Sequence, residues 1–173
     1  MNSLPQLFMR QSDITQLPDL NIPEGLYVKT HTDDMINKWE ELIQAAFNLK
    51  YDFNECIVKG RAVGAYNPEH VLYLMHGENV VATVTAVEHD AYPGEGWFRM
   101  VAVSPKARGK GFGKLICLIA LHNLAKRGYT SVVLSTDDER IPALKTYLGL
   151  DFEPIYSHES HYKRWENIFK TLN

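Results

Sequence analysis

A glycine-rich turn between an apolar strand and an apolar helix is the feature that most constrains how this chain can fold. The run from Met100 to Val103 predicts a strand, and the run from Leu115 to Leu121 predicts a buried helix. Glycine occupies positions 109, 111 and 113 between them, and the same turn carries four cations: Lys106, Arg108, Lys110 and Lys114. Backbone N–H groups in such a turn can converge on an anion at the helix N-terminus. The sequence therefore predicts that this turn binds a phosphate or a pyrophosphate.

The spacing of the glycines excludes two common phosphate-binding motifs. A Walker A loop ending at Gly113 and Lys114 requires glycine and serine or threonine where this chain has Arg108 and Leu115. A dinucleotide-binding turn requires G-x-G-x-x-G, whereas the third glycine here comes one residue early. The pattern that fits is R-x-x-G-x-G, and it follows the strand end Val-Ser-Pro. In this setting the pattern resembles motif A of the GNAT acetyltransferases, which binds the pyrophosphate of acetyl-CoA.

A second resemblance to the same family lies downstream, in residues 137–156. Motif B of that family has a helix with an alanine, a tyrosine four residues later, and a Gly-Phe pair that opens the next strand. Ala143, Tyr147 and Phe152 take these places in this chain. The resemblance covers residues 70–156 well and extends over 24–173.

Two positions of motif B depart from the family's pattern. Arg140 stands where many members have asparagine, so a guanidinium contact to the cofactor is expected in place of the usual amide contact. Asp151 stands where glycine is usual, and aspartate tolerates the left-handed backbone conformation better than most residues. The turn before the next strand is therefore expected to survive.

The positive charge of this chain is concentrated around motif A. Residues 96–136 contain seven lysines and arginines and no aspartate or glutamate, although the whole chain has a net charge of −3. A local basic cleft on an acidic protein suits a small polyanionic ligand better than duplex nucleic acid, which requires a broad basic face. For Lys126 and Arg127 a simpler explanation is the favourable dipole at a helix C-terminus. That explanation does not account for the glycines of the turn.

Length and composition favour a single domain in a reducing compartment. A chain of 173 residues can bury a substantial core, and no apolar run approaches the ~20 residues that span a bilayer. The first residues have no signal-peptide core. The two cysteines, Cys56 and Cys117, have neither metal-ligand spacing nor a disulfide framework, and Cys117 is expected to be a buried apolar residue. We expect a cytoplasmic protein without a metal.

The apolar patterning predicts interleaved strands and helices. We expect an extended N-terminal arm over 1–23, strands at 26–30, 71–76, 80–89, 97–103, 131–135 and 152–156, and helices after Thr32, at 111–127, up to about 148 and at 162–172. Residues 48–68 are expected to form a second helix and a loop. This order indicates an α/β or α+β domain over 24–173. The family resemblance implies a mixed, mostly antiparallel central sheet flanked by helices and splayed at the cofactor cleft.

The resemblance also implies which residues hold acetyl-CoA, the expected co-substrate. Its phosphates would lie on the loop that comprises Arg108, Gly109, Lys110, Gly111, Phe112, Gly113 and Lys114. Its pantetheine arm would bind backbone groups of the strand before motif A, which here comprises Val101, Ala102 and Val103. A strand bulge in the family splays that strand from its neighbour. Arg140 completes the predicted cofactor site.

Tyr147 is the predicted catalytic residue. Acetyl transfer to an amine requires that the departing thiolate be protonated, and a phenol with a pKa of roughly 10 holds its proton at neutral pH. A thiol has a lower pKa of roughly 8.5, so the phenol can donate to the nascent thiolate. A helix tyrosine packed on the sheet is the structural alternative.

The residue that deprotonates the amine stays open. Some family members place a glutamate on the strand before motif A, but an ungapped count puts Trp97 at that position. Nearby alternatives are Glu88, His89, Asp90 and Glu95, and water is another. His122 is interpreted as structural. The loop over 48–68, with Asp52 and Glu55 among aromatic residues, is a candidate wall of the acceptor site.

Three functions remain for comparison with the structure. The leading one is an N-acetyltransferase that uses acetyl-CoA and acts on an amine of a small molecule or a protein, without nucleic acid or membrane partners; a homodimer is allowed. The second is a non-catalytic CoA-binding sensor or scaffold of the same fold, which the missing strand glutamate keeps open. The third, a nucleic-acid-binding domain, is opposed by the net charge of −3.

Overall fold

The computed structural model describes residues 4–60 and 66–172. Its strands are β1 (Leu7–Gln11), β2 (Leu26–Thr30), β3 (Val71–His76), β4 (Asn79–Glu88), β5 (Gly96–Val103), β6 (Val132–Thr136) and β7 (Glu153–Ile155). Its longer helices are α1 (Ile36–Phe47), α2 (Phe112–Lys126), α3 (Ile141–Leu148) and α4 (Glu159–Leu172). Part of the predicted loop over 48–68 lies outside the described residues.

The seven strands form one sheet in the order β2-β3-β4-β5-β6-β1-β7. Every neighbouring pair is antiparallel except β5 and β6, which run parallel. The predicted mixed, mostly antiparallel sheet with flanking helices is therefore confirmed. The parallel pair exists because the chain leaves β5, passes through α2 and returns to the sheet as β6.

The N-terminal segment departs from the prediction of an extended arm over 1–23. Leu7–Gln11 forms β1, which pairs with β6 on one edge and with β7 on the other. Leu7 and Met9 are fully buried there. The segment is thus an inner strand of the same sheet as residues 24–172, and not a separate arm.

Most predicted elements are present with small shifts at their ends. β2 has the predicted bounds, and α2 ends before Gly128, whose φ of +92° suits the residue that follows a helix. Thr32 precedes a short 3-10 turn, Asp33–Met35, that leads into α1, and its side chain makes no capping bond. The helix expected within 48–68 is a single π-helical turn, Asn54–Val58.

The sheet separates two apolar cores. In β3, Leu72 and Leu74 face the core that contains α2, α3 and α4, whereas Tyr73 and Met75 face the core that contains α1. This alternation is the period of two that a strand imposes on its side chains. α2 is apolar around most of its circumference and buries six side chains, so its position against the sheet is fixed. Its N-terminus, with the glycine-rich turn, therefore has a defined place beyond the end of β5.

Within the described ranges, no helix has the length and apolar character needed to cross a membrane.

Candidate active site

A cleft opens where β5 and β6 separate. The two strands pair only from Gly96–Phe98 to Val132–Leu134. Beyond these residues the strands diverge and leave a cavity of about 290 Å³. The cavity is lined by Gln6, Phe47, Tyr51, Trp97, Phe98, Arg99, Met100, Val101, Leu134, Ser135, Thr136, Asp137, Arg140, Ala143 and Tyr147. The splay expected from the family resemblance is thus present in this sheet.

A bulge in β5 shapes one wall of the cleft. The β4–β5 register shifts between Thr83 and Thr85, and Met100 has a φ of +49°, which is uncommon for a residue other than glycine. Because of the bulge, Arg99 and Met100 both point toward the α1 side: Arg99 donates to the Cys56 carbonyl there, and Met100 packs on the α1 core. A regular strand would send them to opposite faces.

The bulge also leaves strand backbone without ladder partners. Neither Met100 nor Val101 is paired with a residue of β4, and β6 has already separated from β5 at this level. Of the three strand residues predicted to hold the pantetheine arm, Val101 lines the cleft, while Ala102 and Val103 continue along the same open edge and pair with β4 on the other edge. Polar backbone groups on this edge need a partner, and an extended ligand arm can supply it.

The glycine-rich turn has a backbone conformation that favours glycine at two positions. Gly109 and Gly111 have φ values of +76° and +79°, which side chains with a Cβ rarely adopt. α2 begins at Phe112, its first turn has no acidic residue, and no side chain caps it. Its first N–H groups are therefore free to bind an anion.

The cations of the turn are exposed and have no carboxylate partner among the described residues. Lys106, Arg108, Lys110 and Lys114 are all exposed, and none belongs to an ion pair. Arg108 donates to the Ala46 carbonyl at the end of α1, over 3.1 Å. The turn lies outside the cleft lining, so the predicted cofactor residues form two groups: the turn at one end and Val101 with Arg140 at the other.

Gly113 leaves space that the protein itself does not fill. A Cβ built on Gly113 would meet only Val103 Cγ2 at 3.6 Å and Thr146 Oγ1 at 3.7 Å, which are ordinary contacts. Packing in the free protein therefore does not require glycine at this position. A ligand that approaches the first turn of α2 closely would require it.

Tyr147 lines the inner end of the cleft from α3. The residue is 6% exposed and packs on Phe152, with ring centroids 5.9 Å apart. Burial raises the pKa of the Tyr147 phenol above its ordinary value, so the phenol is protonated at neutral pH. The geometry is compatible with the predicted proton donor.

Arg140 reaches across the cleft mouth to α1. Its Nε donates to Asp137 Oδ2 over 3.0 Å, and its guanidinium lies 4.7 Å from the centroid of the Phe47 ring. The other Asp137 oxygen accepts from Gln6 Nε2 over 3.2 Å. Asp137 is therefore the carboxylate of the cleft lining, and both its oxygens are engaged.

Thr136 carries an unsatisfied hydroxyl beside this carboxylate. The residue is 3% exposed and lines the cleft, yet its Oγ1 has no hydrogen-bond partner within the part of the chain that the structure describes. A buried polar group without a partner costs free energy. Because the atom itself is almost inaccessible, this cost falls on the stability of the protein.

The acidic and imidazole side chains considered as bases lie elsewhere. Glu88 accepts hydrogen bonds from Gly94 N and the Tyr129 hydroxyl, and Glu95 accepts hydrogen bonds from both Nε and Nη2 of Arg10. His89 Nδ1 lies 2.9 Å from Asp90, and its ring stacks on Trp97 at 4.4 Å. None of these four candidates lines the cleft, whereas Trp97 does.

The remaining candidates also have structural partners. His122 Nε2 is 2.9 Å from the Pro18 carbonyl, which agrees with a structural role. Asp52 accepts from Glu55 N, and Glu55 pairs with Lys59. Neither carboxylate lines the cleft. The cleft wall from this region is Tyr51 together with Phe47.

Sequence reasoning missed Thr136, Asp137 and Phe47 as residues of the cleft, and it counted Arg99 among the basic residues of 96–136 without giving it a role. Asp137 and Thr136 directly follow a predicted strand that precedes motif B, which was a usable signal. No local signal marks Arg99, because the bulge that turns it toward α1 depends on tertiary pairing. Within the described residues, no group of three or more His, Cys, Asp or Glu side chains could hold a metal ion.

The comparisons with known proteins agree with this geometry. The model of the acetyltransferase (GNAT) family matches residues 31–152. A mycothiol acetyltransferase of Nocardia farcinica is 30% identical over 162 residues, which cover 86% of this chain and 52% of that protein. The chain thus spans about half the length of this curated relative.

Solved structures show the same fold. A GCN5-related N-acetyltransferase from Sphaerobacter thermophilus superposes with a TM-score of 0.68 at 22% identity, covering 87% of this chain and 48% of that one. A chain of the NatC complex bound to Gag peptide and CoA superposes with a TM-score of 0.58 at 18% identity, covering 72% of this chain and 82% of that one.

Proposed function

Because the chain belongs to the acetyltransferase (GNAT) family, we propose that it transfers an acetyl group from acetyl-CoA to a primary amine held in the β5–β6 cleft. The observation that carries this proposal is that the open edge of β5 leaves the cleft that Tyr147 and Val101 line, and that the glycine-rich turn follows the end of this strand. A phosphate at the turn and an acyl thioester at the cleft fit the two ends of one extended ligand.

The turn would hold the pyrophosphate of acetyl-CoA. The N–H groups of the first turn of α2 and the four cations supply positive potential, and no carboxylate of that turn opposes them. Arg108 would exchange its bond to the Ala46 carbonyl for a phosphate oxygen, since a charge-assisted bond is the stronger one. The residues present therefore fit this co-substrate.

The pantetheine arm would lie along β5. Val101, Ala102 and Val103 would contribute backbone groups on the edge that β6 leaves open. Arg140 would stay near the mouth of the cleft, where Asp137 and Phe47 hold its guanidinium.

The reaction would proceed by direct attack. The neutral amine forms a C–N bond with the thioester carbonyl carbon, the C–S bond breaks, and the sulfur takes a proton from the Tyr147 hydroxyl. Tyr147 then recovers a proton that the acetylated nitrogen releases through water. Asp137, the acidic residue of the described cleft lining, is already engaged by Arg140 and Gln6, so the proposal passes that proton to water.

The test combines ligand binding and turnover. Acetyl-CoA at ~100 times its dissociation constant should add about 2.7 kcal/mol of apparent stability in thermal unfolding, with a much smaller effect from ATP or NAD. Thiol release from acetyl-CoA should then depend on an added amine, measured over a panel of small amines and peptides. Stronger protection by ATP than by acetyl-CoA would contradict the proposal.

A further inference from the structure

Arg99 has a charge that no described residue compensates. It lines the cleft on the α1 side of the β5 bulge and is half-buried. Its guanidinium belongs to none of the ion pairs of the described residues. Burial lowers the pKa of Arg99 below its ordinary value, which reflects the cost of holding this charge away from water. A charge in such a place is normally paired, so a partner is missing.

The guanidinium is held in a defined position. Nη2 donates to the Cys56 carbonyl over 3.0 Å. A Cβ on Gly60 would lie 2.5 Å from Nη1 and 2.9 Å from Nη2, so glycine at this position makes room for the group. The bulge at Met100 turns the Arg99 side chain toward the α1 side of the sheet. One carbonyl uses only part of the five N–H donors of an arginine, and two oxygens of a carboxylate or a phosphate can accept two of the others in parallel.

Resting on the proposed function, we propose that the acceptor of this enzyme is a small amine whose molecule also carries an oxyanion, a carboxylate or a phosphate, and that Arg99 binds that oxyanion. The acceptor amine would point toward Tyr147 and the thioester. The phosphates of acetyl-CoA would not compete for Arg99, because the glycine-rich turn proposed to bind them lies outside the cleft lining. Asp137 and Arg140 already satisfy each other and leave Arg99 as the cation without a partner in the lining.

The test uses amines of matched basicity. Alanyl-alanine, alanyl-alaninamide, alanyl-phosphoserinamide and alanyl-serinamide share the same kind of α-amine and differ in their anionic group. Binding of each, and of its N-acetyl form in the presence of CoA, is measured by calorimetry, and turnover is measured by thiol release. We expect at least one anionic member to bind about 10–100 times more tightly than its neutral partner, as a charge-assisted pair would give. The two anionic arms distinguish carboxylate from phosphate.

Arg99→Gln should remove this preference while the dissociation constant of CoA stays unchanged, and Arg99→Lys should restore part of it. Arg127→Gln is the matched control, because Arg127 is also half-buried and donates to a backbone carbonyl, that of Ala86, outside the cleft. It should keep the wild-type preference. Equal binding of anionic and neutral members, no measurable binding of either, or a preference that survives in Arg99→Gln would overturn the inference. If anionic amines bind preferentially but no amine is acetylated, the anion site at Arg99 stands and the proposed function fails. If amines are acetylated without any preference for an anionic group, the proposed function stands and the anion site fails.

Discussion

Replacing Gly113 by alanine should separate ligand binding from folding. Gly113 is the second residue of α2, its φ is not positive, and a Cβ there would make only ordinary contacts at 3.6 and 3.7 Å. Glycine in a helix is about 0.8–1.0 kcal/mol less favourable than alanine. Gly113→Ala should therefore leave the free protein as stable as the wild type, or up to ~1 kcal/mol more stable, which corresponds to a rise of about 2–4 °C in Tm.

The same substitution should weaken CoA binding. In the proposed complex, the phosphate oxygens lie against the N–H groups of the first turn of α2, and the new methyl group would stand between them. We expect at least a tenfold rise in the CoA dissociation constant, or about 1.4 kcal/mol. Calorimetric titration with CoA gives the affinity, and urea unfolding of the free protein gives the stability.

Two further glycine variants make the comparison quantitative. Gly111→Ala should destabilise the free protein by about 1–2 kcal/mol, because its φ of +79° is strained for a residue with a Cβ although the space is open. Gly128→Ala has the same open space and a φ of +92° at the far end of α2, so it should lose similar stability and keep the wild-type affinity for CoA. A folded Gly113→Ala protein with wild-type CoA affinity would show that this turn does not hold the phosphates.

Three other substitutions test the cleft and the α1 core. Tyr147→Phe should lower kcat by a factor of about 10²–10⁴ with little change in the acetyl-CoA dissociation constant, and equal kcat values would leave Tyr147 as a packing residue. Thr136→Val should stabilise the free protein by about 1 kcal/mol in urea unfolding, because it removes an unsatisfied buried hydroxyl; an equal or lower free energy of unfolding would refute this assignment. His31 is buried in the α1 core, with its Nδ1 2.6 Å from the Tyr73 hydroxyl, and burial lowers its pKa. Below a pH of about 6.5 the unfolded chain therefore binds a proton that the folded protein binds less readily, and the free energy of unfolding should fall. His31→Gln should flatten that part of the stability profile, and an identical slope in both proteins would refute this assignment.

The motif A region could be predicted from the sequence because its determinants are local. The strand, the turn and α2 follow directly on one another, and each has its own signal: an apolar run, alternating glycines and a second apolar run. The positive φ values of Gly109 and Gly111 confirm the reason for glycine at these positions. β2 likewise has the predicted bounds, since Pro23 and Gly25 precede it and a polar turn follows.

β1 could not be predicted in the same way. Leu7–Gln11 is a short segment between proline and polar residues, and its partners in β6 and β7 lie more than a hundred residues away in the sequence. Such a strand is stabilised by non-local pairing, and its five residues carry little intrinsic preference. The roles of several cleft residues could not be predicted for a related reason: Phe47, Arg99 and Asp137 are distant in the sequence and line one cleft only once the sheet has formed.

In the proposed reaction, the state of Asp137, the one acidic residue of the described cleft lining, has a consequence for the amine itself. Asp137 already accepts from Gln6 and Arg140, so the proposed route passes the proton of the acceptor to water before the amine attacks. An α-amino group with a pKa of about 8 is roughly 10% neutral at pH 7, whereas a lysine side chain with a pKa of about 10.4 is roughly 0.04% neutral. Desolvation beside Phe47 and Tyr51 lowers either pKa further, but it preserves this difference. If the proposed reaction is correct, weakly basic α-amines should therefore react faster than lysine side chains at pH 7, with thiol release from acetyl-CoA as the measurement, and an oxyanion on Arg99 would hold such an amine in place while water removes its proton.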